Sequence, residues 1–370
     1  MTVNWKLILG ILFLVIILIF ILTFKSNKEV VKIGAVLPLT GKGAPYGEEW
    51  GNAILMAVED LNADGGVNGK LLEVVIDDSK TENAVAVTSM TKLVNVDNVK
   101  IVFSGLSGPV AAVAPVAEEN KVILFGVTTA TNWALENEYS FKDYTDIALE
   151  CKFLGEKVKG KKIAFIGVNV DTTLDCINSL KNEGVDLVYE LYTKEDNDFR
   201  SQITKVKDSG ADFIMIRPLK AEFLILIKQM KELEFTRPLI CPTLRLTGCD
   251  TKEFIEIGKE FLNGGIASGF YVYRDNPKVS QFFNRYKEKF GKELTGDGIF
   301  VYDDVKLLGK VLEICDKTGN IADTTCLKEE IKGHSFDSIA GKEKLKFDDK
   351  GVASREVALF KFENGSWVIN

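Results

Sequence analysis

Residues 31–69 have the sequence VKIGAVLPLTGKGAPYGEEWGNAILMAVEDLNADGGVNG, which predicts a strand, a loop, a helix and a turn. Residues 31–37 form an apolar run of strand length, and Pro38 ends it because proline cannot continue the interior of a sheet. The loop at residues 40–47 contains three glycines and Pro45. The segment after it repeats its apolar residues at helical spacing, namely Ala53, Ile54, Ala57, Val58 and Leu61.

This order predicts the fold class. An apolar strand followed by a glycine-containing loop and an amphipathic helix is typical of a buried parallel strand in a doubly wound α/β sheet. The alternation continues to a strand at residues 265–271, with one interruption near residues 141–146, where we place a boundary between two lobes. Ligands of such sheets bind beyond the carboxyl ends of the strands, where the first N–H groups of the next helix favour an anion. We therefore expect a binding edge at residues 40–47.

Composition excludes some classes of function. The chain has 370 residues, 46% of them hydrophobic, and can bury a large core. Its net charge is −7 without any lysine-rich run, which argues against a nucleic-acid partner. The six cysteines fit no C-x-x-C pattern and His334 is the only histidine, so no metal site and no cofactor are predicted.

Residues 7–24 form an uncharged apolar run of roughly eighteen residues, the length that spans a bilayer as a helix. A secretory signal would have a shorter apolar region and a small-residue cleavage site. The alternative is a buried core helix, but the run has no polar face. The sequence therefore predicts a single membrane anchor at residues 1–28.

The cysteines are even in number, and their order favours three local pairs. They are Cys151, Cys176, Cys241, Cys249, Cys315 and Cys326. Pairs of this kind form disulfides in extracellular domains. The best candidate is Cys315 with Cys326, which would join the end of one helix to the start of the next.

Catalytic motifs are missing from the sequence. Gly41, Gly43 and Gly47 miss the G-x-G-x-x-G spacing of a dinucleotide site by one residue, and no Lys-Ser/Thr pair follows as in a P-loop. The chain has no G-x-S-x-G elbow and no cysteine close in sequence to His334. We therefore do not expect an enzyme.

Five stretches resemble one known family: IGAVLPLTGKGAPYG, NADGGVNGKLLEVVIDD, LSGPVAAVAPVAEENKVILFG, TTATN at residues 128–132 and FDSIAGKEKLKFDDKG. They are similar to the leucine/isoleucine/valine-type extracellular solute-binding proteins of ABC transporters, which have the type I periplasmic-binding-protein fold. The resemblance covers most of residues 31–370.

The resemblance implies two α/β lobes, a ligand cleft between them, and hinge closure. Lobe 1 would comprise residues 29–145 and 275–343, and lobe 2 residues 146–274 and 344–370. A transporter permease would be the protein partner. The binding domain would lie outside the cell, attached to the membrane by the N-terminal anchor.

Ligand contacts of the family can be transferred by position to lobe 1. They correspond to Tyr46, Ser107, Gly108, Thr129, Ala130 and Thr131. The hydroxyls of Ser107 and Thr131, with N–H groups at a helix start, can hold a carboxylate without a full counter-charge. The alternative role for these two hydroxyls is helix capping.

Lobe 2 departs from the family pattern. The family's acid for the ligand's amino group corresponds to Thr243. Arg217 and Arg245 follow strands and are expected to face the cleft, where they favour an anionic group. Alternatively, each arginine pairs with an acid such as Asp171 or Asp250. Asp171 is able to hold an amine if the ligand has one.

The predicted function is therefore the capture of a small amino-acid-like or carboxylate solute and its delivery to an ABC importer. The alternative is a ligand-sensing receptor domain, because the same two-lobed module also serves in signalling proteins. Such a receptor would act through a partner protein.

Overall fold

The computed structural model describes residues 29–270, 272, 276–294, 297–341, 344–353, 355 and 357–370, together with Trp5; the side chains of Lys220 and Arg245 are not described. The strands are β1 Val30–Leu37, β2 Leu71–Asp78, β3 Ile101–Gly105, β4 Ile123–Val127, β5 Ser140–Phe141, β6 Lys162–Val168, β7 Asp186–Tyr192, β8 Phe213–Arg217, β9 Leu239–Cys241, β10 Ile266–Phe270, β11 Ser335–Phe336, β12 Leu345–Lys346, β13 Val357–Glu363 and β14 Ser366–Ile369.

The helices alternate with these strands through most of the chain. They are α1 Ala44–Ala63, α2 Asn83–Asn95, α3 Ser107–Glu119, α4 Asn132–Leu135, α5 Ile147–Lys157, α6 Asp171–Asn182, α7 Arg200–Lys207, α8 Lys220–Glu232, α9 Leu244–Thr247, α10 Lys252–Ile257, α11 Lys259–Leu262, α12 Pro277–Phe290, α13 Gly298–Lys317 and α14 Thr324–Gly333.

Two sheets organise the molecule, and each defines a lobe. The first lobe is built on a parallel sheet with the strand order β2-β1-β3-β4-β5. Strand β1 is buried on both faces because it lies inside this sheet, which accounts for its nearly continuous apolar sequence. The late helices α12, α13 and α14 contribute buried side chains to the core of the first lobe.

The second lobe is built on a sheet with the strand order β14-β13-β10-β9-β8-β6-β7. Strands β6 to β10 are parallel to one another, whereas β13 and β14 are antiparallel additions at one edge. The two lobes, each built on its own doubly wound sheet, form the two-lobed α/β fold that the sequence predicts. In both sheets the carboxyl ends of the parallel strands, followed by helix N-termini, supply residues to one cavity between the lobes.

The loop predicted at residues 40–47 is shorter in the structure. Helix α1 begins at Ala44, so that Pro45 and Gly47 belong to the helix. Pro45 occupies the first turn, where its missing N–H has no helical partner to lose. The prediction treated proline and glycine as loop residues and therefore placed the helix start too late.

Residues 345–353 differ from the predicted lobe assignment. The sequence places residues 344–370 in lobe 2, but Leu345, Phe347 and Ala353 are buried in the core of the first lobe. Phe347 packs edge-on against Phe125 at 6.2 Å and Phe141 at 5.6 Å between ring centroids. Aromatic packing therefore holds this segment on the first lobe, and the chain joins the second sheet only at β13.

All six cysteines form local disulfides. The pairs are Cys151–Cys176, Cys241–Cys249 and Cys315–Cys326. The third pair joins the end of α13 to the start of α14, which confirms the pair favoured by the sequence.

The predicted membrane anchor at residues 7–24 lies outside the described residues. Within the part of the chain that is described, no helix is long and apolar enough to cross a bilayer.

Candidate functional site

A cavity of about 690 Å³ lies between the two lobes. Its first-lobe wall comes from α1, the start of α3 and the segment after β4, and its second-lobe wall comes from the ends of β6 and β8 and the start of α6. These are carboxyl ends of parallel strands and the helix N-termini that follow them. The position agrees with the binding edge expected for doubly wound sheets.

Aromatic side chains form the floor of the first-lobe wall. Tyr46 and Trp50, one helical turn apart on α1, stack with ring centroids 5.6 Å apart and are both buried. The six-membered ring of Trp50 covers Gly105, where an added Cβ would lie 2.2 Å from the ring. Trp133 and Tyr144 complete this surface, which suits an apolar body of a small ligand.

Helix α3 presents its N-terminus to the same wall. Leu106, just before the helix, has a φ of 69°, in the left-handed region that bulky residues rarely adopt. The N–H groups of Ser107 and Gly108 lie in the first turn of α3 and have no helical acceptor. The wall therefore offers backbone donors to a polar group of a ligand.

The hydroxyl groups of the first-lobe wall already bond to one another. Ser107 Oγ lies 2.6 Å from Thr128 Oγ1, which also accepts a hydrogen bond from the Ala130 N–H at 3.1 Å. Thr131 Oγ1 donates to Asp146 Oδ2 at 2.5 Å and accepts from Lys142 Nζ at 3.0 Å. Because Ser107 and Thr131 already form these hydrogen bonds, their hydroxyls have fewer free donor and acceptor positions for a ligand carboxylate than the predicted role requires.

Arg217 dominates the second-lobe wall. It ends β8, lines the cavity and is 7% exposed. Among the described residues, its guanidinium donates from Nη2 to Thr129 Oγ1 of the first lobe at 3.3 Å, and its buried Nε has no partner. Among the described residues it forms no ion pair within 4 Å. Burial lowers the pKa of Arg217 to about 10, against the opposing effect of Glu150, so the group stays charged at neutral pH.

Thr173 lies beside Arg217. Gly167 of β6 is the register partner of Arg217. A Cβ at Gly167 would lie 2.9 Å from Thr173 Cγ2 and 3.4 Å from the Arg217 carbonyl oxygen, so glycine allows α6 to approach the strand ends closely. Thr173 Oγ1 is buried and has no hydrogen-bond partner in the described part of the chain. Among the described residues, Thr173 Oγ1 and Arg217 Nε are therefore two buried polar atoms of the second-lobe wall without a hydrogen-bond partner.

Two carboxylates, one before and one after Thr173 in the sequence of α6, also line the cavity. Asp171 is exposed and begins the helix, and Asp175 follows one turn later and is half-buried. Burial, Asp146 and Asp171 raise the pKa of Asp175, and Arg217 opposes them. Neither Asp171 nor Asp175 has an ion-pair partner in the described ranges.

A buried polar network lies behind the cavity wall. Glu150 Oε2 accepts hydrogen bonds from the Thr243 N–H at 2.8 Å and the Ser268 hydroxyl at 2.6 Å. Burial raises the pKa of Glu150 and lowers the pKa of Lys142 to about 8. This network fixes the segment after β9 with the backbone of Thr243 at a φ of 50°.

An ion pair connects the two lobes outside the cavity wall. Lys42, in the loop before α1, donates from Nζ to Glu222 Oε1 of α8 at 2.8 Å and to the Asp196 carbonyl oxygen at 2.5 Å. Glu222 is 1% exposed, and its Oε2 accepts from the Tyr192 hydroxyl at 2.7 Å and the Leu219 N–H at 3.1 Å. This part-buried ion pair therefore joins the two lobes directly.

Seven of the ten predicted contact residues line the cavity. Two others lie outside its wall, and the side chain of the tenth is not described. The cavity wall includes Tyr46, Ser107, Gly108, Thr129, Ala130, Asp171 and Arg217. Thr131 and Thr243 belong to the networks described above and are not part of the wall. The side chain of Arg245 lies outside the described part of the structure.

Sequence reasoning did not identify Trp50, Thr173 and Asp175 as lining residues. Trp50 could have been found from Tyr46, because residues four apart share a helix face. Thr173 and Asp175 lie in the first turns of the helix after β6, and helix N-termini that follow parallel strands line the binding edge of such sheets. Among the described residues, no cluster of three His, Cys, Asp or Glu side chains could hold a metal ion.

Comparison with known proteins agrees with this geometry. The model of the family described as periplasmic binding protein matches residues 30–366. The leucine-, isoleucine-, valine-, threonine- and alanine-binding protein of Pseudomonas aeruginosa is 27% identical over 346 residues, covering 89% of this chain and 88% of its own.

Solved structures share the fold. A leucine-binding protein of Thermotoga maritima has 23% identity and a TM-score of 0.78, with 92% of this chain and 97% of its own covered. A solute-binding protein of Rhodopseudomonas palustris in complex with 3,4-dihydroxybenzoic acid has 21% identity and a TM-score of 0.79, with coverages of 91% and 95%. The chain therefore belongs to the periplasmic binding protein family, and it is a homologue of the leucine-, isoleucine- and valine-binding proteins.

Proposed function

We propose that this protein captures a small carboxylate-bearing solute between its lobes and delivers it to the permease of an ABC importer. The observation that carries the proposal is the buried guanidinium of Arg217, which lines the cavity with its Nε unsatisfied and without an ion pair among the described residues. A buried charge without a partner is costly. A ligand carboxylate held by two parallel N–H···O bonds would remove that cost.

Relatives support the class of ligand. The Pseudomonas aeruginosa relative is named for binding amino acids, and the Rhodopseudomonas palustris structure contains an aromatic carboxylate. The two classes share the carboxylate group. In this chain the aromatic wall of Tyr46 and Trp50 would contact the apolar part of such a solute, and Arg217 would bind its charge.

Capture would proceed by closure of the hinge. The solute would first meet the first-lobe wall, and rotation of the second lobe would bring Arg217 onto its carboxylate. Contacts that exist only when the lobes meet stabilise the closed form, and two are candidates: Arg217 with Thr129 and Lys42 with Glu222. Ligand binding shifts the equilibrium because the carboxylate adds a third such contact.

Delivery requires a position outside the cell. We propose that residues 1–28 anchor the protein in the membrane and that the two lobes lie on the outer side. Lobe 1 would comprise residues 29–145, 275–343 and the packed segment 345–353, and lobe 2 residues 146–274 and 357–370. The closed form would be the one recognised by the permease.

The experiment is a thermal-shift screen of the protein against amino acids, amides, urea, benzoate, 3,4-dihydroxybenzoate and aliphatic mono- and dicarboxylates. A ligand that binds only the folded state raises the melting temperature by mass action. We expect carboxylates to raise it and amides and urea to leave it unchanged.

The matched variants are Arg217→Met and Arg200→Met. Arg200 is a surface arginine paired with Asp198 and Glu232, so its loss removes the same charge away from the cavity. The carboxylate-induced shift should vanish in Arg217→Met and persist in Arg200→Met. If no compound of the panel changes the melting temperature of the wild type, solute capture is rejected and the ligand-sensing receptor function is favoured.

A further inference from the structure

A disulfide closes the segment of the second lobe that follows β9. Cys241 ends β9, and its partner Cys249 lies two residues after the end of α9. Both cysteines are buried in the core of the second lobe together with Leu244. We call residues 241–249 the cystine loop. Its two ends are thus fixed in the core of one lobe.

The middle of the cystine loop reaches the cavity. Leu246 and Thr247 are part of the cavity wall. Leu246 is half-buried and packs against the hydrophobic cluster that forms the core of the first lobe and contains Tyr46 and Trp50. The loop is therefore fixed in one lobe, while its leucine packs on the core cluster of the other.

Several contacts hold the shape of the cystine loop. Thr247 Oγ1 lies 3.0 Å from Cys241 Sγ and 3.2 Å from Cys249 Sγ, so this cavity-lining side chain packs directly on the disulfide. The Cys249 carbonyl oxygen accepts a hydrogen bond from Trp367 Nε1 of β14 at 2.9 Å. Thr243 has a φ of 50°, a left-handed conformation that a β-branched residue adopts only where its surroundings enforce it.

The cross-link affects the energetics of closure. A disulfide across a sequence separation of 8 restricts the conformations available to the residues between its ends. A wall segment that has to be ordered when the ligand binds reduces affinity, whereas a segment that is already ordered does not. The cystine loop belongs to the second class, because its ends, its backbone at Thr243 and its Thr247 side chain are all restrained before a ligand is present.

We propose that the Cys241–Cys249 disulfide is a positioning element of the ligand site, which holds Leu246 where it closes the cavity over the apolar body of the solute. This inference rests on the proposed function, because it assigns the disulfide a role in solute capture. The Cys315–Cys326 disulfide has a different position. It lies at the core of the first lobe, and none of residues 315–326 is part of the cavity wall.

The experiment measures binding to the full-length chain by isothermal titration calorimetry. The probes are benzoate, 3,4-dihydroxybenzoate, hexanoate and L-leucine, and the probe that the wild type binds most tightly is used for every variant. Cys241→Ala combined with Cys249→Ala should weaken this probe at least tenfold. Cys315→Ala combined with Cys326→Ala is the matched control, which should lower the melting temperature by a similar amount and change the affinity less than twofold.

A double-mutant cycle tests whether the disulfide acts through Leu246. Leu246→Ala should weaken the probe at least fivefold in the protein with the disulfide and less than twofold without it, because a leucine that is no longer held in place has less contact to lose. Leu149→Ala is the control, since Leu149 is exposed on α5 and is not part of the cavity wall. It should change the affinity in neither background.

Two outcomes overturn the inference: unchanged affinity in a folded variant without the Cys241–Cys249 disulfide, or an equal effect of Leu246→Ala with and without it. If the variant without the disulfide does not fold, Leu246→Ala in the otherwise unchanged protein decides, and a loss of less than twofold overturns the inference. Probe binding by the wild type leaves the proposed function intact in each case. Absence of binding by all four probes, with no thermal shift from any other carboxylate, would reject both.

Discussion

Replacing Arg217 by methionine should make the ligand-free protein more stable while it abolishes carboxylate binding. Burial lowers the pKa of Arg217 to about 10, more than two below the ordinary value of arginine. At about 1.4 kcal/mol for each pKa unit, the folded state holds this charge at a cost of roughly 3 kcal/mol. Methionine fills a similar volume without that cost.

Two losses offset part of the gain. The variant loses the hydrogen bond to Thr129, about 1 kcal/mol, and it leaves Glu150 without the nearby positive charge. We therefore expect the ligand-free variant to be about 1–2 kcal/mol more stable at pH 7. The sign follows from the direction of the shift, because a base whose pKa is lowered by folding destabilises the folded state at every pH below the lowered value.

The assay is chemical denaturation of the ligand-free wild type, Arg217→Met and the control Arg200→Met, followed by titration with the carboxylate that gives the largest thermal shift. Loss of a bidentate charged contact should weaken that carboxylate by at least about 100-fold. Unchanged affinity in Arg217→Met would refute the role of this arginine. Lower stability of the ligand-free variant would refute the argument that the guanidinium is held ready for a ligand.

Three further predictions concern other parts of the molecule. Lys42→Met removes the partly buried ion pair with Glu222, which is worth about 1 kcal/mol. We expect the ligand to dissociate about fivefold faster from this variant in stopped-flow fluorescence, with an unchanged association rate. Equal dissociation rates in the variant and the wild type would exclude a role of the pair in closure. Burial raises the pKa of Asp304 well above its ordinary value, so ionisation of this carboxyl costs the wild type stability as the pH rises from about 4. Asp304→Asn should therefore have a higher melting temperature than the wild type at pH 8, and the difference should disappear near pH 4. A difference in melting temperature that does not change with pH would contradict this. The Cys315–Cys326 disulfide joins residues 11 apart in the sequence, and its loss should lower the free energy of unfolding by about 2–3 kcal/mol without changing ligand affinity. Free thiols in mass spectrometry of the unreduced wild type would refute the pairing.

Much of the fold could be predicted because buried parallel strands are continuous apolar runs. Strand β6, Lys162–Val168, is an example, since its apolar run is buried almost throughout and polar or glycine-containing segments border it. The start of α1 was missed because Pro45 suits both a loop and a first helical turn. The packing of Phe347 on the first lobe depends on partners more than 200 residues away, which no local pattern reveals.

The site was predictable to the extent that strand ends define it. Arg217 is predicted because it follows a strand of the second lobe, whereas Asp171 is named as an acid that could pair with an arginine or hold an amine. Thr131 and Thr243 were assigned by the resemblance, and the structure places both in hydrogen-bond networks instead. Their partners Asp146 and Glu150 come from the loop and helix after the first lobe, and the sequence gives no sign of these contacts.

The structure connects binding with stability through one unsatisfied charge. A guanidinium enclosed between two lobes favours separation of the lobes when it lacks a counter-ion, and it favours their closure when a carboxylate supplies one. The same guanidinium therefore couples ligand binding to closure of the lobes.

The most direct test is a crystal structure of the complex with the tightest-binding carboxylate of the panel. Both carboxylate oxygens should lie about 2.8 Å from Arg217, one from Nε and one from an Nη atom. A carboxylate bound instead by Ser107 and the first N–H groups of α3, with the Arg217 Nε still unsatisfied, would contradict this prediction.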